Sequence, residues 1–259
     1  TWNVSGSAIN VIGKDIKVDN LTAVCADQSV QVDGGYSSTR KDTLSVNLVK
    51  FDLGILNKFL GENFGISGLA TGHAIISSPW KSNAGLMMRL TSDSTQVAGH
   101  RMGTLRLASS LDDNKMRVIA RNDINGITTL GVSGDYFLDR HTIDATADFN
   151  GMDVGYIAPV LESVFSEMGG AMSGRVHARG PLGSLSLSSE GTTFDNVLLK
   201  VGFTNVPYYV NGPFSVTNQG LFFDGVTIKD RFDGTGTISG GLLFDHLKDF
   251  RLDTRIKMQ

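Results

Sequence analysis

Self-similarity at a spacing of about 100 residues is the feature that most constrains what this chain can fold into. The phrase "ISGLATGHAIISSP" begins at Ile66, and "MGGAMSGRVHARGP" begins at Met168. Laid together, Gly68 meets Gly170, Thr71 meets Ser173, Gly72 meets Gly174 and Pro79 meets Pro181. The match extends upstream, where "DLGIL" from Asp52 parallels "DVGYI" from Asp153, and Leu60 and Phe64 parallel Leu161 and Phe165. A second phrase occurs three times, as "VDGGYSST" at Val32, "VSGDYFLD" at Val132 and "ISGGLLFD" at Ile238. The chain therefore holds about two and a half copies of one module: residues 1–51 end a first β-repeat, 52–150 form a second and 151–259 a third. Fixed-period repetition implies a quasi-linear object in which each module buries its apolar face against the next.

Within each module almost everything alternates. "TIDATADF" puts Ile143, Ala145, Ala147 and Phe149 on one face and Asp144, Thr146 and Asp148 on the other. "TLSVNLVKF" alternates Leu44, Val46 and Leu48 before its register slips near Val49, and "FRLDTRIKM" alternates from Phe250. Period-two alternation marks strands with one dry and one wet face. Turn signals at Asp112 to Asn114, Asn122 to Gly126 and Asn218 to Gly220 join them as antiparallel hairpins. Only one segment per module reads as helix. Ile157, Val160, Leu161, Val164, Phe165 and Met168 keep the spacing of an apolar helical stripe, with Asp153 as cap, Pro159 in the first turn and Gly169-Gly170 as stop. The first copy, Asp52 to Phe64, is shorter. The fold class is mainly β: an elongated, curved antiparallel sheet with about one short helix per ~100-residue repeat. So few helices leave the dry face to close on itself, to fold over as a sandwich, or to line a lengthwise groove.

Chemistry is absent from the pattern. The five histidines, His73, His100, His141, His177 and His246, share no metal-ligand spacing, and "DGTGTISG" joins strand to strand where a phosphate loop needs a helix. There is no nucleophile elbow and no recognisable acid pair, so the chain reads as no enzyme, with no cofactor and no metal. A net charge of −3 without any basic run argues against nucleic acid as partner. The lone Cys25, between Val24 and Ala26, reads as a small apolar residue. Tyr208-Tyr209 and Phe222-Phe223 read as core aromatics. The chain starts on Thr1 and stops during strand-like alternation, which is the expectation for a piece excised from a longer protein.

The stretch "DVGYIAPVLESVFSEMGGAMSGRVHARGPLGSLSLSSEGTTFDNV" resembles the repeat region of TamB-like proteins, within the wider AsmA-like group of Gram-negative bacteria. The shared pattern is a short apolar helix, then small-Gly strand phrases, then "GPLG" and a further strand. "DLGILNKFLGENFGISGLATGHAIISSP" is a second, looser match that runs on into "WKS". The resemblance implies a sheet curled into a half-open trough, or β-taco, with an apolar interior. It also implies a periplasmic location, a parent protein anchored in the inner membrane and an outer-membrane barrel protein as partner. The implied role is carriage of phospholipids between the membranes, support of outer-membrane protein assembly, or both. Phospholipid acyl chains would then lie on a lining of Ile143, Ala145, Ala147, Phe149, Val176, Ala178, Phe250, Leu252 and Ile256. An ordinary closed sandwich core is the other reading of those positions. A scaffold that pairs with nascent barrel strands without carrying lipid, and a secreted β-repeat adhesin or glycan-binding protein, are the rival functions.

Overall fold

The computed structural model describes all residues except 7, 14, 38–42, 61–64, 78–84, 113, 182, 246–247 and 259. It opens with strands β1 (Asn3–Ser5), β2 (Ala8–Ile12), β3 (Asp15–Cys25), β4 (Gln28–Tyr36) and β5 (Thr43–Asp52). A 3-10 turn (Leu53–Leu56) and the single-turn helix α1 (Asn57–Leu60) lead to β6 (Leu69–Ser77) and β7 (Gly85–Ser92). A small hairpin, β8 (Gln96–Val97) and β9 (His100–Arg101), precedes β10 (Thr104–Asp112), β11 (Lys115–Ile124), β12 (Ile127–Phe137) and β13 (Thr142–Asp153). A second 3-10 turn (Val154–Ile157) and helix α2 (Ala158–Leu161) come next, then β14 (Phe165–Pro181) and β15 (Ser186–Val201). The chain ends in β16 (Pro207–Pro213), β17 (Ser215–Thr217), β18 (Gly220–Asp230), β19 (Thr235–Asp245) and β20 (Lys248–Met258).

Apart from the β8–β9 hairpin, all the strands join one antiparallel sheet, and each pairs with its neighbours in sequence. β1 and β2 share one position on β3, and β16 and β17 share one between β15 and β18. Among the described residues β20 pairs only with β19, and β1 and β2 only with β3, so the sheet does not close into a barrel. Connections alternate between two long rims, and both helical connections fall on the same rim.

One face of this sheet is mostly apolar. A single cross-strand row runs through Val46, Ala74, Met88, Ser109, Val118, Gly134 and Ala145. The opposite face carries charge. Asp135 and Asp144 stand directly across from one another on β12 and β13, an arrangement that repels unless each carboxylate has a cation. Arg117 holds Asp135 at 2.9 and 3.1 Å, and Arg179 holds Asp144 at 2.9 Å.

A repeated bulge curves the sheet. Register slips by one residue at Val18/Leu21, Leu48/Phe51, Phe149/Met152, Phe194/Val197 and Phe223/Val226. At each slip one residue turns left-handed: Asn20, Lys50, Gly151, Asn196 and Gly225, with φ from 48° to 63°. Its freed N–H donates to a side-chain oxygen on the next strand, namely Asp33 (2.9 Å), Thr71 (3.1 Å), Ser173 (2.9 Å), Asn211 (2.7 Å) and Ser239 (2.8 Å). A glycine follows every one of these acceptors. Four of the five, Gly34, Gly174, Gly212 and Gly240, have φ of 113–130°, and at Gly72 a Cβ would lie 2.0 Å from the Arg89 carbonyl oxygen. A bulge bends its strand, and the extra residue lets Phe149 and Met152, three apart, face the same way. Among the described residues, the only slip from β6 to β12 is at Asn122/Asp123.

The observed helix is shorter than the sequence predicts. Regular helix spans Ala158–Leu161 after the 3-10 turn, and Phe165 and Met168 lie in β14, opposite Val201 and Leu199. Gly169 and Gly170 are strand residues as well, so they do not stop a helix. The apolar run Val164, Phe165, Met168 fits helical spacing, yet β15 offers Phe165 and Met168 strand partners across a register slip, and pairing wins over local periodicity.

Candidate functional site

The buried hydrophobic cluster gathers where α2 meets the sheet. Asp153 Oδ1 accepts from Gly155 N–H at 2.8 Å and starts the turn, as Asp52 does for Gly54 at 2.8 Å. Each satisfies a helical N–H that would otherwise be orphaned. The turn drives Val154, Tyr156 and Leu161 into the concave face, where they are buried against β14. The Tyr156 hydroxyl donates to the Arg101 carbonyl at 3.1 Å. Burial, with the Asp153 carboxylate nearby, pushes its phenol above the ordinary tyrosine range. His100 Nδ1 meets Asp153 Oδ2 at 2.9 Å and ties the β8–β9 hairpin to the same corner.

Beside the helix opens an apolar cleft with about 90 Å³ of void. One water needs about 10–15 Å³ on this measure, so the space takes a file of methylene-sized groups. Val154, Ile157 and Leu161 close it on the helix side. Phe165 and Met172 of β14, Phe194 and Leu199 of β15, Leu221 and Phe223 of β18, Leu242 of β19, and Leu252 and Ile256 of β20 form its walls. In a flat sheet β14 and β20 would stand five strand spacings, about 24 Å, apart. Met172 and Leu252 nonetheless line one cleft, so this part of the sheet is curled. The lining carries no ionisable group except the Tyr208 phenol.

The predicted lining divides in two. Leu252 and Ile256 line the cleft, and Phe149, Phe250 and Leu252 pack on the buried cluster. Ile143, Ala145, Ala147, Val176 and Ala178 lie outside the cleft, on the β13–β14 side of the bulge at Gly151. They keep the same concave face, with Ala145 opposite Ala178 and Ala147 opposite Val176, and all are half-buried. A face pressed against a second sheet would be buried, whereas every member of this group retains contact with solvent. Sequence reasoning missed Phe165 and Met168 as wall residues because they read as helix, and Met172 because it falls in the small-Gly strand phrase that follows. It took Tyr208-Tyr209 and Phe222-Phe223 as pairs. The register separates them, with Tyr208 and Phe223 on the cleft while Phe222 covers Gly241 on the convex side.

Polar groups interrupt the concave face farther along. Asn122 is fully buried; its amide N–H donates to Thr129 Oγ1 at 2.9 Å, and its carbonyl oxygen finds no partner. Ser109 Oγ is likewise unpaired. The described histidines make separate contacts: His177 bonds Thr146, His141 bonds Tyr136, His100 meets Asp153, and His246 lies outside the described residues. Among the described residues no group of His, Cys, Asp or Glu has metal-site geometry, and no helix is long and apolar enough to cross a membrane. Comparison with protein-family models, with curated proteins and with solved structures finds no match.

Proposed function

We propose that this chain is a segment of a TamB-like periplasmic bridge whose concave face carries phospholipid acyl chains between the inner and outer membranes. The observation that carries the reading is a mostly apolar concave face on an open sheet, deepening into an apolar cleft beside α2. Each methylene removed from water contributes about 0.8 kcal/mol, so a tail laid along the face is held while its headgroup stays at a rim in solvent. Similar half-exposed positions along the sheet let the tail move from one to the next without a deep trap. In this reading the parent protein is anchored in the inner membrane and meets an outer-membrane barrel protein at its far end.

A second reading is a scaffold that pairs with nascent barrel strands without carrying lipid. Photocrosslinking separates the two. A photoreactive side chain replaces Ala145 or Leu252 in the parent protein, and the adducts are analysed after irradiation of living cells. Phospholipid adducts at both positions support lipid carriage. Protein adducts without lipid overturn it in favour of strand pairing.

A further inference from the structure

Two phenylalanines sit where a water-facing sheet has least reason to put them. Phe203, in the connection from β15 to β16, is 86% exposed, and Phe232, in the connection from β18 to β19, is 76% exposed. Both connections lie on the rim that carries the helices. Pro207 at the start of β16 pairs with Lys200 at the end of β15, and Tyr208 beside it pairs with Asp230 at the end of β18. The two turns are therefore neighbours, about two strand spacings or 10 Å apart. Val201 and Tyr208, which flank the first turn, line the apolar cleft, so the rings stand at its lip.

We propose that Phe203 and Phe232 insert into a lipid surface and dock the mouth of the cleft against it. The turns are built to hold the rings out. Asn205 N–H donates to the Val201 carbonyl at 2.8 Å, and Asp230 Oδ1 accepts from the N–H groups of Phe232 and Gly234 at 2.8 and 2.9 Å. Two separate convex tips suit a fluid surface that deforms around them; a protein partner of standard size would need about 800 Å² of matched face. The local charges decide the kind of lipid. Lys200 pairs with Glu167 at 3.7 Å, Lys229 pairs with Asp233 at 2.6 Å, Arg231 lies over the Phe232 ring at 4.5 Å, and Asp230 is turned into its own loop. Cations and carboxylates balance, so docking is driven by the rings and fits a zwitterionic surface; a polybasic patch would call for an anionic one. Loading of the cleft from that surface rests on the lipid-carriage reading, whereas docking itself does not.

Co-sedimentation with phosphatidylcholine vesicles tests the idea on the whole chain. The parent binds, and each of Phe203→Ser and Phe232→Ser weakens binding about tenfold, with unchanged circular dichroism and melting temperature. Adding phosphatidylglycerol or salt leaves binding within about twofold. A Phe203→Trp variant gains indole fluorescence that brominated phosphatidylcholine quenches beyond the parent's background. Absence of binding by the parent, binding by the double Ser variant equal to the parent, or binding only to anionic vesicles overturns the proposal. So does a double variant that changes only self-association on size-exclusion chromatography. Lipid crosslinked at Leu252 without vesicle binding would remove docking alone, and vesicle binding without such lipid would remove the cargo reading alone.

Discussion

Replacing Gly174 by alanine tests whether the bulge row is what shapes the sheet. Gly174 sits at φ +126°, and an added Cβ would lie 2.5 Å from Thr192 Cα, 2.7 Å from Thr192 Cγ2 and 2.8 Å from the Gly191 carbonyl oxygen. Two of these three atoms are backbone, so no rotamer change relieves the clash. The backbone conformation alone costs an L-residue about 1–3 kcal/mol, and forcing the neighbour aside costs about 1–3 kcal/mol more. Thr192 is buried and hydrogen-bonds the Phe214 carbonyl; two residues on, Phe194 stacks on Phe214 at 4.1 Å between centroids. The strain therefore reaches the cluster beside the cleft. The expected loss is about 2–6 kcal/mol, or about 4–24 °C in melting temperature for a chain of this size. Gly131→Ala is the control, since Gly131 has no positive φ and nothing within 4 Å of its Cβ position. It should change stability by less than about 1 kcal/mol. Urea denaturation followed by near-ultraviolet circular dichroism reads both. Equal midpoints for the two variants would show that the crease tolerates a side chain, and the account of the curvature would be wrong.

Other substitutions probe single interactions. Asp52→Ala removes one cap hydrogen bond and should cost about 1 kcal/mol. Asp153→Ala loses the same bond plus the partly exposed His100 contact, so in the same denaturation assay it should cost more; equal losses would mean that His100 contributes nothing. Asn122→Leu exchanges a buried amide with an unpaired oxygen for an apolar group of similar size, while Thr129 Oγ1 keeps its bond to the residue 122 carbonyl at 3.3 Å. Stability should hold or rise by up to about 1 kcal/mol, and a loss above about 2 kcal/mol would show that the amide is satisfied after all. The Arg117 guanidinium hydrogen-bonded to Asp135 holds its carboxyl below the usual range against the opposing effect of burial, and the charges of Arg117 and Lys115 assist. A depressed folded value makes this pair stabilising above the unfolded pKa of about 4, with the benefit lost as pH falls through the folded value. Asp135→Asn should accordingly lose less stability than the parent on acidification below about pH 4; parallel pH profiles would refute the assignment.

The strands were legible because their alternation is strict and their turns carry the right residues. "TIDATADF" needs only its own spacing to declare a dry and a wet side, and the slip near Val49 is the visible trace of the bulge at Lys50. The glycines of the repeated "ATG" and "MSG" phrases show in the sequence as matched positions of the repeat, Gly72 with Gly174. The role of the residue before each glycine does not. Thr71 and Ser173 look like filler, and their role appears only when the neighbouring strand brings an orphaned N–H to within 3.1 Å or less. The same device is written with Asp33, Asn211 and Ser239, so a search for identical letters misses it and a search for a side-chain acceptor before glycine finds it. The second helix was overextended because Phe165 and Met168, three apart, fit the helical period; a register slip between Phe165 and Glu167 brings both to the buried cluster, and the partner that favours strand, β15, begins some twenty residues later. The cleft was half-legible for a related reason. Leu252 and Ile256 show themselves by alternation, whereas which strands curl together depends on where the bulges fall.

The arrangement also explains why a repeat of this length exists at all. Six strand positions separate the first helical connection from the second, and six more follow it to β20. At about 4.8 Å per strand each module lengthens the sheet by about 29 Å, and each strand pairs only with its neighbours. Such a sheet lengthens strand by strand, and its stretches differ in depth: the concave face is half-buried along β13 and curls into the cleft from β14 to β20. The second helix then serves as a local wedge: at Val154 and Leu161 it adds buried contacts to those that β14, β15, β18 and β19 make among themselves. Weakening the wedge should loosen its own module first and leave strands a module away paired. Hydrogen exchange on Asp153→Ala would show that as lost protection in β13 to β15 with β4 to β6 unchanged, and uniform loss along the chain would mean that the modules do not act as separate units.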